Sequence, residues 1–257
     1  MEFDNILVKE KNSICYITIN RPMKLNALNA KTISELSTAI VKADNADNIR
    51  AIILTGSEKK AFVAGADIKE FSHYNSSKGE DLSRNGQEKL FDLLENLSTP
   101  SISAINGFAL GGGLELAMST HIRIASNNAK LGLPEVSLGL IPGYGGTQRL
   151  ATLVGKGKAL EMITTAGMLS ATESLQWGLV NHICDQDDLI PLAEKIAHKI
   201  LNNSPMAISK AIKSVNAGFV NSVDGFEVEK KEFGSCFGTS EFIEGTTAFM
   251  EKRKPNF

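Results

Sequence analysis

Two glutamates draw attention because their neighbours offer them so little. Glu115 follows Leu110-Gly111-Gly112-Gly113-Leu114, and Glu135 lies within Leu131-Gly132-Leu133-Pro134-Glu135-Val136. A carboxylate flanked by Leu133, Val136 and Leu138 is a candidate for burial and a raised pKa. Two carboxyl groups in unlike surroundings can divide general-acid and general-base work. Both fall in residues 106–148, with nine of the chain's 22 glycines: Gly107, Gly111, Gly112, Gly113, Gly132, Gly139, Gly143, Gly145 and Gly146. Glycine at that density costs conformational entropy and is expected where backbone bends sharply or lies against a ligand. The run from Leu110 to Gly113 leads into a helix, whose first N–H groups lack intrahelical partners and favour an anion or a developing oxyanion. Val63-Ala64-Gly65-Ala66-Asp67-Ile68 is a second stretch of small residues entering a helix, with Asp67 available as its cap. Each feature alone also fits a tight turn, a helix-dipole partner or a salt bridge. Their combination points to acid–base chemistry on a substrate whose oxygen gains charge.

Other chemistries find no support. No Gly-x-Ser-x-Gly and no GxxxxGK[ST] occurs, and Gly155-Lys156-Gly157 has Leu160 where a dinucleotide fingerprint needs its third glycine. His73, His121, His182 and His198 have no metal-ligand spacing, so no metal is expected. Cys15, Cys184 and Cys236 form no CxxC and read as free thiols of a reducing compartment.

The elements that must position these residues alternate between strand and helix. Residues 14–20 (ICYITIN) read as a strand stopped by Arg21-Pro22. Asn29 caps a helix to about residue 43 with Ile33, Leu36 and Ile40 on one face. Residues 51–55 (AIILT), 101–105 and 122–125 are short apolar strands. Residues 76–85 are polar and predict a mobile loop. A helix carrying Leu90, Leu93, Leu94 and Leu97 follows and stops before Pro100, and another runs over 113–119. Ser170-Ala171-Thr172-Glu173 is a capping box, and residues 178–183 predict a strand. Four helices are expected over 189–201, 206–217, 223–233 and 241–252. The pattern is α/β, with a helical C-terminal region.

The totals bound the answer further. The chain has 257 residues, 27 basic and 29 acidic, for a net charge of −2. That balance gives no reason to expect nucleic acid as a partner. No apolar run nears the ~20 residues that span a bilayer, and the N-terminus has no apolar signal core, so no membrane is expected and the location is expected to be cytoplasmic.

The motifs together resemble the enoyl-CoA hydratase/isomerase (crotonase) superfamily along essentially the whole chain. They are Asn20-Arg21-Pro22 with Asn26-Ala27-Leu28-Asn29, residues 62–70 (FVAGADIKE), Asn106-Gly107 with Ala109 to Gly113, Pro134-Glu135, Ile141-Pro142-Gly143, residues 145–150 (GGTQRL) and residues 248–254 (AFMEKRK). The resemblance implies a spiral of ββα units over residues 1–190 and a helical oligomerisation region over 191–257 that builds a homotrimer or a homohexamer of two trimers. It implies an acyl-CoA thioester as substrate, with coenzyme A as its carrier part and no separate cofactor. Its thioester oxygen would be held by the N–H groups of Ala66 and Gly112. Glu115 would activate water and Glu135 would supply the proton. Lys24, Ala27, Ala64, Ala66, Asp67, Ile68 and Gly112 match positions near the CoA, and basic residues of the last helix match positions near its phosphates. A Δ3,Δ2-enoyl-CoA isomerase, another acyl-CoA lyase, and an RNA-associated or non-catalytic acyl-CoA-binding relative are the alternatives. Both glutamates favour water addition, with a short-chain bias. Thr120-His121, Leu114 and Leu133 replace residues common in the family; His121 is expected to be structural, and the two leucines are expected to bear on acyl-chain preference.

Overall fold

The computed structural model describes residues 3–257. Among these residues ten strands form two sheets: β1 (Ile6–Lys11), β2 (Ile14–Ile19), β3 (Ala51–Gly56), β4 (Ala61–Val63), β5 (Ser101–Ile105), β6 (Phe108–Leu110), β7 (Ile122–Ser126), β8 (Lys130–Gly132), β9 (Met168–Ser170) and β10 (His182–Cys184). The larger sheet has the order β1-β2-β3-β5-β7-β10 and the smaller the order β4-β6-β8-β9. Helices α1 (Ala30–Asp44), α2 (Ile68–Phe71), α3 (Ser76–Gly86), α4 (Asp92–Glu95), α5 (Gly112–Met118), α6 (Gly146–Val154), α7 (Lys156–Thr165) and α8 (Ala171–Gln176) fill the spaces between strands. After β10 come α9 (Leu189–Leu201), α10 (Pro205–Ala217), α11 (Gly225–Gly234) and α12 (Ser240–Met250).

One unit repeats three times: a strand of the large sheet, a short strand of the small sheet, then a helix. It runs β3-β4-α2, β5-β6-α5 and β7-β8-α6, so the expected ββα spiral is the architecture. β2, β3, β5, β7 and β10 pair in parallel, as helical crossovers demand. β3 (AIILTG) is an inner strand with its aliphatic side chains buried, and it reads as a continuous apolar run for that reason. β1 was not legible as a strand. It is an exposed edge carrying Lys9, Glu10 and Lys11, joined to β2 by Asn12-Ser13, both at positive φ (53° and 60°), as a two-residue hairpin loop requires.

Two expectations need correction. Residues 76–85 are helical, not a mobile loop: α3 is capped by Asn75, which accepts from the Lys78 N–H, and continues through a π-helical turn (Gln87–Phe91) into α4. Leu82, Gly86 and Leu90 form its inward stripe at four-residue spacing, but the central member has no side chain; the ring of Tyr144 occupies that space. The strand expected over 178–183 begins only at His182. Gly178 (φ 75°) reverses the chain after α8, and the N–H groups of Leu179 and Val180 both turn to the Ser174 carbonyl. The Ser170/Glu173 capping box is present in full.

A boundary after residue 190 falls inside α9. That helix buries Leu189, Ala193 and Ala197 against Ile14, Ile53, Ile102 and Ile124 of the large sheet. α10 and α11 lie beyond it, joined through Glu232, which pairs with Lys210 (3.2 Å) and Lys213 (2.5 Å). No helix among the described residues is long and apolar enough to cross a membrane.

The spiral is pinned where it passes between sheets. The buried Asn106 side chain accepts from the Gly56 N–H (3.2 Å) and donates to the carbonyls of Gly56 (2.9 Å) and Glu58 (2.5 Å). Removing those bonds leaves backbone groups unsatisfied. Asn106→Ala should therefore lose about 2–3 kcal/mol of stability, read as a lower urea midpoint with unchanged m-value.

Candidate active site

Two backbone edges meet at one cavity of about 540 Å³. The first is the loop after β4, where Leu28 and Ala66 form a parallel bridge. The bridge bonds run from the Leu28 N–H to the Gly65 carbonyl (2.9 Å) and from the Asp67 N–H to the Leu28 carbonyl (2.6 Å). Strand alternation therefore turns the Ala66 N–H away from Leu28, and Ala66 lines the cavity. The second edge is the start of α5, where Gly112 is the first helical residue and its N–H precedes any intrahelical acceptor. Gly111 makes the turn at φ 51°. Gly113 brings the two edges together: a Cβ there would stand 2.0 Å from the Val63 carbonyl, so only glycine lets α5 lie on β4.

Glu115, one turn along α5, is 1 % exposed. Its Oε1 accepts from the backbone N–H groups of Tyr144 (2.7 Å) and Gly146 (2.8 Å). Burial lifts its pKa to about 7, and the neighbouring Glu135 charge adds to the rise; the two N–H bonds and the Arg149 cation oppose it. The carboxylate lies so close to Gly146 that a Cβ would meet Oε1 at 2.8 Å. Glu135 opens the 3-10 turn Glu135–Leu138 after β8 and is half-buried. Burial raises its pKa also. Its Oε2 has no hydrogen-bond partner among the described residues, and its Oε1 lies against Gly111, 2.8 Å from where a Cβ would be. Phe71, Tyr74, Leu82, Leu138, Leu140 and Ile141 give the same cavity an apolar lining.

Of the residues singled out in the sequence, Ala64, Ala66, Ile68, Gly112, Glu115 and Glu135 all face this cavity. Lys24, Ala27 and Asp67 do not line it. Asp67 makes no capping bond to α2; it pairs with Arg21 (3.1 Å), and Arg21 also donates to the Ala27 carbonyl, which locks the loop bearing Ala66 to the turn after β2. Lys24 is exposed on that turn. Leu114 and Leu133 are buried in the main core and neither lines the cavity, so the expectation that they bear on acyl-chain preference is not supported by their placement. His121 is structural: Nδ1 meets the Ser101 N–H (3.0 Å) and Nε2 the Glu95 carbonyl (3.1 Å), and burial lowers its pKa. The three cysteines are unpaired, and burial pushes the Cys15 thiol up to about 11. In the C-terminal segment Arg253 is engaged by Glu244 and Glu251.

Sequence reasoning missed Tyr144, whose N–H holds Glu115 and whose ring stacks on Phe91 (4.7 Å between centroids, 14° between planes). It also missed the donor role of Gly146 and the wall that α3 supplies. The glycine pair Gly145-Gly146 was the available signal, but nothing local says which carboxylate such a turn serves.

Two backbone donors and two raised-pKa carboxyls on one largely apolar cavity define a site for acid–base chemistry at a carbon next to a polarised carbonyl. The chain belongs to the enoyl-CoA hydratase/isomerase family, whose pattern residues 9–257 match. It is 45 % identical to a short-chain-enoyl-CoA hydratase of Clostridium acetobutylicum over 99 % of this chain and 97 % of that protein. It is 42 % identical to a crotonyl-CoA hydratase of Syntrophomonas wolfei over 100 % and 99 %. An enoyl-CoA hydratase subunit of Geobacillus kaustophilus, a solved structure, superposes with a TM-score of 0.94 at 37 % identity, covering 100 % of this chain and 99 % of that one. The fold is the crotonase-like spiral.

The burial of Glu115 has a consequence for stability. Its folded pKa, about 7, stands above its ordinary value of 4.5. Its contribution to stability is present below about pH 4.5 and is lost as pH rises through about 7. Glu115→Gln should therefore gain on the parent by up to about 3 kcal/mol between pH 4.5 and pH 8. Paired urea melts at the two pH values measure this, and a pH-independent difference would refute it.

Proposed function

We propose that this protein is an enoyl-CoA hydratase that adds water reversibly to a trans-2-enoyl-CoA, giving a 3-hydroxyacyl-CoA, with a bias to short chains. The observation that carries the reading is the presence of both Glu115 and Glu135 on the cavity that Ala66 and Gly112 also line. The names of the relatives at 45 % and 42 % identity support the substrate class.

The chemistry follows from the placement. The thioester oxygen lies between the N–H groups of Ala66 and Gly112. Glu115 as carboxylate takes a proton from water, and the water oxygen bonds to C3. The C2=C3 electron pair moves toward the thioester, whose oxygen gains enolate charge against the two N–H groups and the start of α5. Glu135 as carboxylic acid then gives its proton to C2. Water has been added, and the two carboxyls have exchanged protonation states; one proton passed through solvent restores them. Preorganised donors at such an oxygen are worth about 3–4 kcal/mol each. In the free chain burial and the charge on Glu135 favour a proton on Glu115, so the working protonation states are set on substrate binding: the two N–H bonds support Glu115 as the anion, and an acyl chain covering the partnerless Oε2 of Glu135 favours a proton there. Substrate lying on Glu135 removes more water and raises its pKa further. Dehydration runs the same steps backward.

Coenzyme A is the carrier part of the substrate, and the reaction needs no other cofactor. Ala64, Ala66, Ile68 and Gly112 would meet the pantetheine and thioester, with Lys24, Ala27 and Asp67 at the shoulder. We place the enzyme in the cytoplasm, a compartment that suits three unpaired thiols. Residues 191–257 are read as the oligomerisation region of a homotrimer or homohexamer. Its support is apolar surface: Phe219, Phe226, Phe233 and Phe249 are each at least two-thirds exposed in the single chain.

Glu115→Gln and Glu135→Gln should each lower crotonyl-CoA hydration by about 10³-fold or more while the far-ultraviolet spectrum stays that of the parent. Near-normal turnover in either variant overturns the assignment, and a tenfold preference for a 3-enoyl-CoA would make the protein an isomerase instead. A panel of enoyl-CoAs of graded length tests the chain bias. Light scattering should give three or six times the 27.7 kDa of one chain; a 27.7 kDa particle removes the oligomer proposal.

A further inference from the structure

One buried cation near the cavity has no part in the chemistry above. The side chain of Arg149, on α6, is 9 % exposed and spends every arm of its guanidinium. Nε and Nη2 both donate to Glu95 Oε2 (3.0 and 2.6 Å), Nη2 also donates to Asp92 Oδ1 (2.7 Å), and Nη1 donates to the Tyr144 carbonyl (2.9 Å). The fork lies over the open face of Gly145 (φ 91°), where a Cβ would stand 2.2 Å from Nη1. The peptide so gripped links Tyr144 to Gly145, within the turn whose N–H groups hold Glu115. The other face of the turn is held by α3 and the π-helical turn after it: Ser83 Oγ (2.5 Å) and Gln87 Nε2 (2.8 Å) donate to the Gly143 carbonyl.

We propose that Arg149 is a positioning residue for Glu115: anchored on Asp92 and Glu95, it fixes the Tyr144–Gly146 turn so that two N–H groups converge on one carboxylate oxygen. Arg149 does not itself line the substrate cavity. It acts by geometry and by charge together. A flexible turn would let the Tyr144 and Gly146 donors drift, and misplacement of about 1 Å costs about 10²-fold in rate. Lysine cannot substitute, because an ammonium offers no planar fork to reach two carboxylates and a carbonyl at once. The titratable groups facing Glu115 are Glu135 from the 3-10 turn, Tyr144 from the donor turn and Arg149 from α6. Of these Arg149 is the one cation, and it favours the ionised form of Glu115. A lysine keeps the charge but loses the fork, so loosening of the two donors is what disfavours the carboxylate, and the acid limb of the rate profile moves to higher pH.

The inference rests on the hydratase reading, and its test keeps the two apart. Crotonyl-CoA hydration is measured against pH for the full-length parent, Arg149→Lys, Glu95→Gln and Glu115→Gln. Arg149→Lys should lower kcat by about 100-fold with KM within about threefold, and raise the acid limb by about one pH unit. Glu95→Gln keeps the arginine and loosens its anchor, so it should move kcat and the limb in the same direction by less; it decides the matter if Arg149→Lys does not fold. A folded Arg149→Lys, or failing that Glu95→Gln, with the parent's kcat and acid limb overturns the positioning role. An active Glu115→Gln overturns the hydratase reading itself, whereas an inactive Glu115→Gln beside unmoved Arg149 and Glu95 variants removes this inference alone.

Discussion

Keeping a carboxylate charged in a place with almost no water is the constraint on which the rest of the structure depends. Glu115 is sealed at the start of α5, and an ion so placed loses several kcal/mol of hydration unless hydrogen bonds replace it. The replacement comes from main chain, the N–H groups of Tyr144 and Gly146. Backbone donors bring no competing charge and leave the second carboxylate oxygen unclaimed by either donor. The balance between burial and these bonds leaves Glu115 near neutrality, where a group can both accept and return a proton.

Much of the surrounding sequence serves that turn. Gly146 leaves room for the carboxylate and Gly145 for the guanidinium of Arg149. Tyr144 is wedged between Phe91, on which it stacks, and the space left by Gly86. The long helix from α3 to α4 thereby does two jobs, closing one wall of the cavity and bracing the turn behind Glu115. Its π-helical turn lies where Gln87 reaches the Gly143 carbonyl, in keeping with the tendency of such turns to occur beside functional sites.

The ββα repeat supplies the other half of the site. In the first two units the short strand ends where a backbone donor is free, and the pairing of β4 with β6 sets those ends side by side. Gly113 against Val63 is the contact that brings α5 onto β4, so the Ala66 and Gly112 edges share one cavity. Asn106 and the Arg21–Asp67 pair hold the loops that carry those edges. The cavity they share is lined largely by apolar side chains, which strengthens the charge–dipole interactions within it.

How much of this was legible follows from what a local pattern can encode. Short β-branched or apolar runs marked β2, β3, β5 and β7, apolar spacing at three to four residues marked α1, and side-chain caps marked the starts of α1 and α8, because those signals sit within a few neighbouring residues. The two glutamates stood out through their apolar company, and the family motifs placed them with Ala66 and Gly112. The sequence misled where an element is held by something distant. α3 looked like a loop because the middle of its buried stripe is Gly86, filled from outside by Tyr144. β1 looked like nothing because an edge strand has little apolar face to show. Leu114 and Leu133, expected to bear on acyl-chain preference, lie in the core and do not line the cavity. The donors to Glu115 lie 29 and 31 positions beyond it, and the loop of Ala66 lies well before it. A backbone N–H carries no side-chain identity, so no residue type announces where it points. The sequence by itself determined which groups could do the chemistry and where the inner strands and the well-capped helices would form. Only the tertiary structure decided which main-chain donors face them, because that direction is fixed by how distant segments pack.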